Sequence, residues 1–216
     1  MWSEEALAAL LSERLQTPVR VAIADVPVTP AELTAGERDR FAGLAGTPRA
    51  VSWLRGRAAL RRLLASVGRD TDTADLTFPC SCFSLSHTAG LALAIHVDGV
   101  DGVGVDLEAR RLAVPRAQRW RHAAGFFATE AEQRWLEDTS DGLEARLLRL
   151  WTIKEAAFKA DRNNAARGLG DYALEDPGRG DGYAVLACDR RLRFRYAALG
   201  EPGAMLAAAV RRGGQS

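Results

Sequence analysis

Apolar side chains recur at helical spacing in three long stretches of the chain, at residues 3–15, 48–68 and 142–160. Good helix-forming residues fill the third stretch, which contains no glycine or proline after its first residue. Two shorter helices are expected at 31–44, opened by a proline, and at 131–136, behind a Thr-x-x-Glu capping box. The pattern therefore predicts helices in both halves of the chain.

Short alternating or continuous apolar runs predict strands between these helices. They lie at 20–26, 83–86, 91–97, 100–108, 183–188, 192–196 and 205–210. This order predicts an α+β protein, a pseudo-duplicated chain of two similar α/β halves with a cleft between them. We place the halves at 1–100 and 101–216, and we expect one compact unit because no Pro- or Ser-rich linker separates them.

Composition narrows the class of protein. The 216 residues are 47% hydrophobic and 26% charged, which is typical of a soluble globular protein. A net charge of +1 gives no overall attraction to nucleic acid or to a membrane surface, and no window is long and apolar enough to cross a membrane. The amphipathic N-terminus does not resemble a secretion signal. Three cysteines, Cys80, Cys82 and Cys188, without a CxxC pair favour a reduced, cytoplasmic protein.

The use of lysine is unusual. The 29 basic residues include only two lysines, Lys154 and Lys159, which flank Glu155 in the third helical stretch. A lysine is a compact charge on a flexible stem, which suits proton transfer or contact with a phosphate better than an arginine fork does. The alternative is an ordinary exposed Glu155–Lys159 pair, four residues apart, which supports a helix by about 0.3 kcal/mol.

Asp106 and Glu108 lie two residues apart in a predicted strand, so their carboxylates point to the same side. Like charges at this spacing cost energy unless a cation lies between them. Carboxylates without a His or Cys cluster favour a hard cation, Mg²⁺ or Mn²⁺, and Glu155 would complete such a set. The alternative is an exposed strand end balanced by Arg110 and Arg111.

His87 lies in the segment SLSHTAG, at a predicted turn beside Ser86, Thr88 and Gly90. Hydroxyl and glycine residues at a turn suit contact with a phosphate. The alternative for a single histidine is an ordinary surface or core position.

Three motifs in this order, SLSHTAG, GVGVDLE and WTIKEAAFK, resemble those of the 4′-phosphopantetheinyl transferases, in the larger Sfp-like class. That family carries a Ser-His-(Ser/Thr) turn, a Gly-(Ile/Val)-Asp-x-Glu strand and a Trp-x-x-Lys-Glu-x-x-x-Lys helix. The resemblance implies two similar α/β halves with coenzyme A in the cleft between them. It implies a monomer, because the smaller class in the family is trimeric and about half as long as this chain.

The implied reaction moves the phosphopantetheine arm of coenzyme A to a serine of an apo acyl or peptidyl carrier protein and releases 3′,5′-ADP. By the resemblance, Asp106, Glu108 and Glu155 hold Mg²⁺ against the diphosphate, and Glu155 helps to deprotonate the carrier serine. Lys159 meets the phosphate and favours departure of the ADP group, while His87 contacts a phosphate of the coenzyme.

The resemblance also assigns residues of the first half to the coenzyme. Ser86 is expected beside His87 at a phosphate, and Arg40, Arg49 and Arg57 are expected near the 3′-phosphate. The segment 116–127, with Trp120, Phe126 and Phe127, is a candidate surface for the carrier, and the alternative is that these aromatic side chains are buried. Two alternatives remain open, a non-catalytic homologue that binds coenzyme A or the carrier, and a Mg²⁺-dependent pyrophosphohydrolase that uses the same carboxylates.

Overall fold

The structure is a computed structural model that describes residues 3–88, 90–109, 124–137, 142–201 and 203–213. Its helices are α1 (Glu4–Leu15), α2 (Ala35–Ala42), α3 (Ala50–Ser66), α4 (Glu130–Glu137) and α5 (Leu143–Ala160). Its strands are β1 (Arg20–Ala24), β2 (Phe83–Thr88), β3 (Leu91–His96), β4 (Gly102–Ala109), β5 (Tyr172–Leu174), β6 (Asp181–Leu186), β7 (Asp189–Glu201) and β8 (Ala204–Arg211). Short 3₁₀ turns lie at Pro30–Glu32, Asn164–Ala166 and Leu169–Asp171.

The strands form two antiparallel sheets. The first has three strands in the order β1-β3-β2, and the second has five strands in the order β4-β8-β7-β6-β5. The molecule is therefore of mixed α+β architecture, as the sequence predicts. The two sheets differ in size, because both β4 and the short β5 join the second one.

The five-stranded sheet is covered on both faces. Along β8, Ala207 and Ala209 pack toward α5, whereas Leu206, Ala208 and Val210 pack toward α1 and the first sheet. A strand that is buried on both faces has a continuous apolar run instead of an alternating one, which is the pattern at 205–210. The sheet therefore forms a central layer, with α5 on one face and with α1 and the first sheet on the other.

Helix α1 joins the two halves. Ser3 caps its N-terminus by accepting a hydrogen bond from the backbone N–H of Ala6, and Leu7, Leu11 and Leu15 are fully buried at helical spacing. The helix contacts β1 of the first sheet and also β7 and β8 of the second. Helix α3 covers the first sheet, and α5 packs on β4, β7 and β8.

The single helix predicted at 31–44 was wrong in its extent. The 3₁₀ turn Pro30–Glu32 is followed by a break, and α2 begins only at Ala35. Thr34 starts it with a capping box, because its hydroxyl accepts from the N–H of Glu37 while the Glu37 carboxylate accepts from the N–H of Thr34. The box predicted at Thr129 is confirmed by the reciprocal bonds in front of α4.

Within the described ranges, no helix has the combination of length and apolar character that crossing a membrane requires. Cys80, Cys82 and Cys188 are free thiols.

Candidate active site

Two glycines bring β4 and α5 into close contact. A Cβ at Gly104 would lie 1.9 Å from the carbonyl oxygen of Ala156, and a Cβ at Gly102 would meet the same helix one turn later at an equal distance. Because alternate residues of a strand share a face, Asp106 and Glu108 point toward α5 as the two glycines do. The sequence Gly-x-Gly-x-Asp-x-Glu thus presses the backbone against the helix and then presents two acids to it.

Asp106 lies at the centre of this contact and is 5% exposed. The ammonium of Lys159 lies 2.6 Å from Oδ1 of Asp106 and also donates to the carbonyl oxygen of Val105 at 3.2 Å. The hydroxyl of Ser86 donates to the same Oδ1 at 3.1 Å, whereas Oδ2 is buried and has no hydrogen-bond partner among the described residues. Lys159 therefore reaches across to the strand, and the simple exposed pair within the helix does not describe it.

Glu108 and Glu155 complete an acidic neighbourhood around Asp106. Burial raises the pKa of Glu108, and the charges of Asp106 and Glu155 raise it further, against a hydrogen bond from Trp151. Burial also raises the pKa of Glu155, with Asp106 adding to the effect and the Lys159 ammonium opposing it. The three carboxylates are therefore electrostatic neighbours, and the Lys159 ammonium contacts Asp106 and lowers the pKa of the other two.

Asp106, Glu108 and Glu155 supply oxygen donors of the kind that a hard metal ion binds. In the part of the chain that the structure describes, no group of three or more His, Cys, Asp or Glu side chains is arranged to hold a metal ion. However, Asp106 has a buried carboxylate oxygen without a hydrogen-bond partner among the described residues. Burial raises the pKa of Glu108 and of Glu155, and the neighbouring charge of Asp106 adds to both shifts. Hard oxygen donors with excess negative charge fit Mg²⁺ or Mn²⁺. The metal role of the three acids stays a prediction, and their charge supports it.

A pocket of about 380 Å³ opens beside Lys159 and His87. It lies between the two halves, and its lining also includes Phe78, Pro79, Ser84, Leu85, Phe158 and Asn164. Desolvation lowers the pKa of His87, and the nearby Lys159 ammonium lowers it further, while Asp106 opposes both. The pocket therefore combines an ammonium, a histidine and apolar walls next to the acidic neighbourhood.

A comparison with family models finds a match in the second half of the chain. Residues 102–208 match the model of the 4′-phosphopantetheinyl transferase superfamily. The matched segment contains Asp106, Glu108, Glu155 and Lys159, whereas His87 and the candidate arginines precede it. No curated protein matches the chain. The superfamily uses coenzyme A as a substrate and typically a divalent metal.

Strand β2 contacts β4 of the matched segment through two serine hydroxyls. Ser84 accepts a hydrogen bond from the N–H of Val105 at 2.9 Å, and Ser86 accepts one from the N–H of Leu107 at 3.0 Å. Both serines are buried. The hydroxyl of Ser86 thus orients Asp106 and links β2 to β4. Contact between Ser86 and the coenzyme stays a prediction.

The three arginines assigned to the coenzyme do not line the pocket. Arg57 is 6% exposed and donates to the hydroxyl of Thr73 at 3.2 Å, so its guanidinium holds a loop of the first half. Arg40 is exposed and donates to the carbonyl oxygen of Leu76 at 3.3 Å, and Arg49 is exposed at the N-terminus of α3. Contact between these residues and the 3′-phosphate stays a prediction.

Lys154 has a structural position, in contrast to Lys159. Its ammonium is fully buried, 2.6 Å from the carboxylate of Glu132, and it donates to the carbonyl oxygen of Phe127 at 2.6 Å. Glu132 in turn accepts from the N–H of Leu174. The first lysine of the pair therefore ties α4 and β5 to α5, away from the pocket.

The carrier surface predicted at 116–127 lies mostly outside the described residues, since 116–123 are among those not described. Of its aromatic side chains that are described, Phe126 is 79% exposed, and Phe127 is buried edge-to-face against Trp151 at 5.3 Å.

Sequence reasoning missed several residues around the candidate site. Trp151 begins the motif WTIKEAAFK but was given no role, and it donates a hydrogen bond to Glu108. Ser84 was missed, although its spacing of two from Ser86 on a strand places both hydroxyls on one face. Phe158 and Asn164 line the pocket, and no pattern in the sequence marked them.

Proposed function

We propose that the protein transfers the 4′-phosphopantetheine arm of coenzyme A to a serine of an apo acyl or peptidyl carrier protein, with Mg²⁺, and releases 3′,5′-ADP. The observation that supports this most is the meeting of Asp106, Glu108, Glu155 and Lys159 within the matched segment, beside a pocket of about 380 Å³. We also propose the Sfp-like class, a pseudo-duplicated chain and a cytoplasmic monomer.

Glu155 is proposed to accept the proton of the carrier serine. A base works best when its pKa lies near the working pH, and burial with a neighbouring Asp106 raises the pKa of Glu155 in that direction. The serine oxygen then forms a bond to the phosphorus that carries the pantetheine arm. The bond from this phosphorus to the bridging oxygen breaks, and 3′,5′-ADP leaves with that electron pair.

Lys159 and His87 are proposed to bind the phosphates of the coenzyme from the walls of the pocket. The ammonium can donate hydrogen bonds to the diphosphate oxygens, where negative charge grows as the ADP group leaves. Asp106, Glu108 and Glu155 would hold the divalent cation, which when bound neutralises charge on the diphosphate. Ser86 keeps Asp106 oriented through the bond to Oδ1.

The proposed contacts of the first half concern the nucleotide end of coenzyme A. Arg40 and Arg49 have exposed side chains that are available to a 3′-phosphate. Arg57 would have to give up its interior bond to Thr73 to reach one. Arg40 and Arg49 are therefore the stronger candidates.

The test is the intact mass of an apo carrier incubated with the protein, coenzyme A and Mg²⁺. The proposal expects a gain of one phosphopantetheine group, lost in Glu155→Gln and Asp106→Ala and kept in Glu144→Gln, a control on the same helix. Circular dichroism must show that the variants are folded. No gain with a panel of carriers would contradict the proposal, and release of 3′,5′-ADP without a carrier would indicate a pyrophosphohydrolase instead.

A further inference from the structure

The ammonium of Lys159 occupies the place where the acidic neighbourhood needs a cation. It contacts Oδ1 of Asp106 at 2.6 Å, and its charge is also felt by Glu108 and Glu155. One positive charge among three carboxylates leaves an excess of negative charge. Lys159 therefore partly neutralises a set of oxygens that would also suit a divalent cation.

Resting on the proposed function, we propose that Lys159 is a resident counter-ion that Mg²⁺ displaces from Asp106, and that the diphosphate of the coenzyme receives the displaced ammonium. The two ligands then help each other to bind. Coenzyme A draws Lys159 away from the carboxylate, and Mg²⁺ releases Lys159 toward the coenzyme. By linkage, each ligand tightens the other by the same factor.

The surroundings of Lys159 allow this exchange. Its side chain is 29% exposed and lines the pocket, so the flexible stem can turn from Asp106 into open space. Because Asp106 is buried, its pair with Lys159 can open only when another cation takes the place of the ammonium. When the ammonium leaves, the hydroxyl of Ser86 still bonds to Oδ1, which keeps the carboxylate in place.

Lys154 provides an internal comparison within the same helix. Its ammonium and the Glu132 carboxylate are both completely buried, and neither lines the pocket. Taking such a pair apart leaves a charge without a partner in the interior, which is strongly unfavourable. Of the two lysines, only Lys159 is therefore expected to move.

The chain is well suited to a direct test, because a protein labelled with ¹³C at lysine Cε has signals from Lys154 and Lys159 alone. Lys159→Met assigns the two signals by removing one of them. On addition of Mg²⁺ alone, the Lys159 signal is expected to shift toward that of free lysine, while the Lys154 signal stays in place. An unmoved Lys159 signal, whether Mg²⁺ binds or not, would overturn the inference.

Calorimetry gives a second measurement on the full chain. We expect Lys159→Met to bind Mg²⁺ about tenfold more tightly than the wild type, because the competing ammonium is gone. The difference should vanish when coenzyme A is bound, since Lys159 has then left Asp106 in the wild type as well. Arg55→Met is the matched control; it removes a charge near His87 from a residue that donates to the Asp25 carbonyl. It should change Mg²⁺ affinity less than about twofold.

The exchange would be contradicted if Lys159→Met bound Mg²⁺ with the same affinity as the wild type. It would also be contradicted if Arg55→Met gained as much Mg²⁺ affinity as Lys159→Met. The outcome is separable from that of the proposed function, because neither measurement needs a carrier or a transfer step. A moving Lys159 signal with no carrier modification would refute the function and support the exchange. A stationary signal with full transfer would do the reverse.

Discussion

The close contact of β4 with α5 makes a single methyl group a severe perturbation at Gly104. In Gly104→Ala the added Cβ would lie 1.9 Å from the carbonyl oxygen of Ala156 and 2.6 Å from the amide nitrogen of Ala160. Real Cβ contacts essentially never fall below 3.0 Å, so strand and helix must separate by about 1 Å. Both opposing atoms belong to the backbone, and no side-chain rotation can relieve the clash.

Overpacking of side chains in a core costs about 1–3 kcal/mol, and a clash with backbone atoms belongs at the upper end of that range or beyond it. We therefore expect Gly104→Ala to lower the free energy of unfolding by about 3 kcal/mol. The separation also moves Asp106 relative to Lys159, which now lie 2.6 Å apart. A misplacement of about 1 Å in an active site can cost about 100-fold in rate.

Urea unfolding followed by circular dichroism measures the first effect, and the carrier mass assay measures the second. Gly43→Ala is the control, because a Cβ there meets no atom within 4 Å and the residue has φ of −73°. The reasoning would be refuted by a Gly104→Ala protein that unfolds within about 0.5 kcal/mol of Gly43→Ala. Loss of activity without loss of stability would also show that the clash is absent.

Three further predictions concern charged groups. Burial raises the pKa of Glu37, but hydrogen bonds, the largest from Arg61, lower it to about 2. The free energy of unfolding of the wild type should therefore fall by about 3 kcal/mol as the pH is lowered from 4.5 to about 2. Urea unfolding at several pH values should show no such fall for Glu37→Gln. The same fall in the variant and in the wild type would contradict the prediction. Lys154→Met should lower the free energy of unfolding by about 3–5 kcal/mol in thermal melts, and adding Glu132→Gln should recover part of this loss. A Lys154→Met protein that melts at the wild-type temperature would refute the prediction. Because burial raises the pKa of Glu155, its carboxylate should titrate above the usual glutamate range in ¹³C NMR of the protein without Mg²⁺, and an ordinary glutamate pKa would contradict this prediction.

Patterns that depend on one element were readable from the sequence. The long α5, the box at Thr129 and the shared side of Asp106 and Glu108 all follow from local spacing. The capping box at Thr34 also follows from local spacing, but Pro30 is itself typical of a helix start and favoured a single longer helix. Strand β5 has three residues, which is too short to produce a period.

Features that depend on two elements could not be read in this way. The contact between Lys159 and Asp106 joins residues from a helix and a strand far apart in the chain. The different fates of Lys154 and Lys159 depend on which side of α5 faces α4 and which faces the pocket. The burial of Arg57 depends on a loop at Thr73 that carries no motif. In each case the missing information is the relative placement of the elements.

The hydrogen bonds from β4 to the hydroxyls of Ser84 and Ser86 limit which residues are tolerated at positions 84 and 86. Ordinary strand pairing uses backbone groups, and any residue except proline can supply them. Here the amides of Val105 and Leu107 depend on oxygen atoms that only the side chains of Ser84 and Ser86 provide. An alanine at either position would leave a buried amide without an acceptor. The contact between the two sheets therefore depends on the identity of these two small residues, whereas a backbone ladder would accept many residue types.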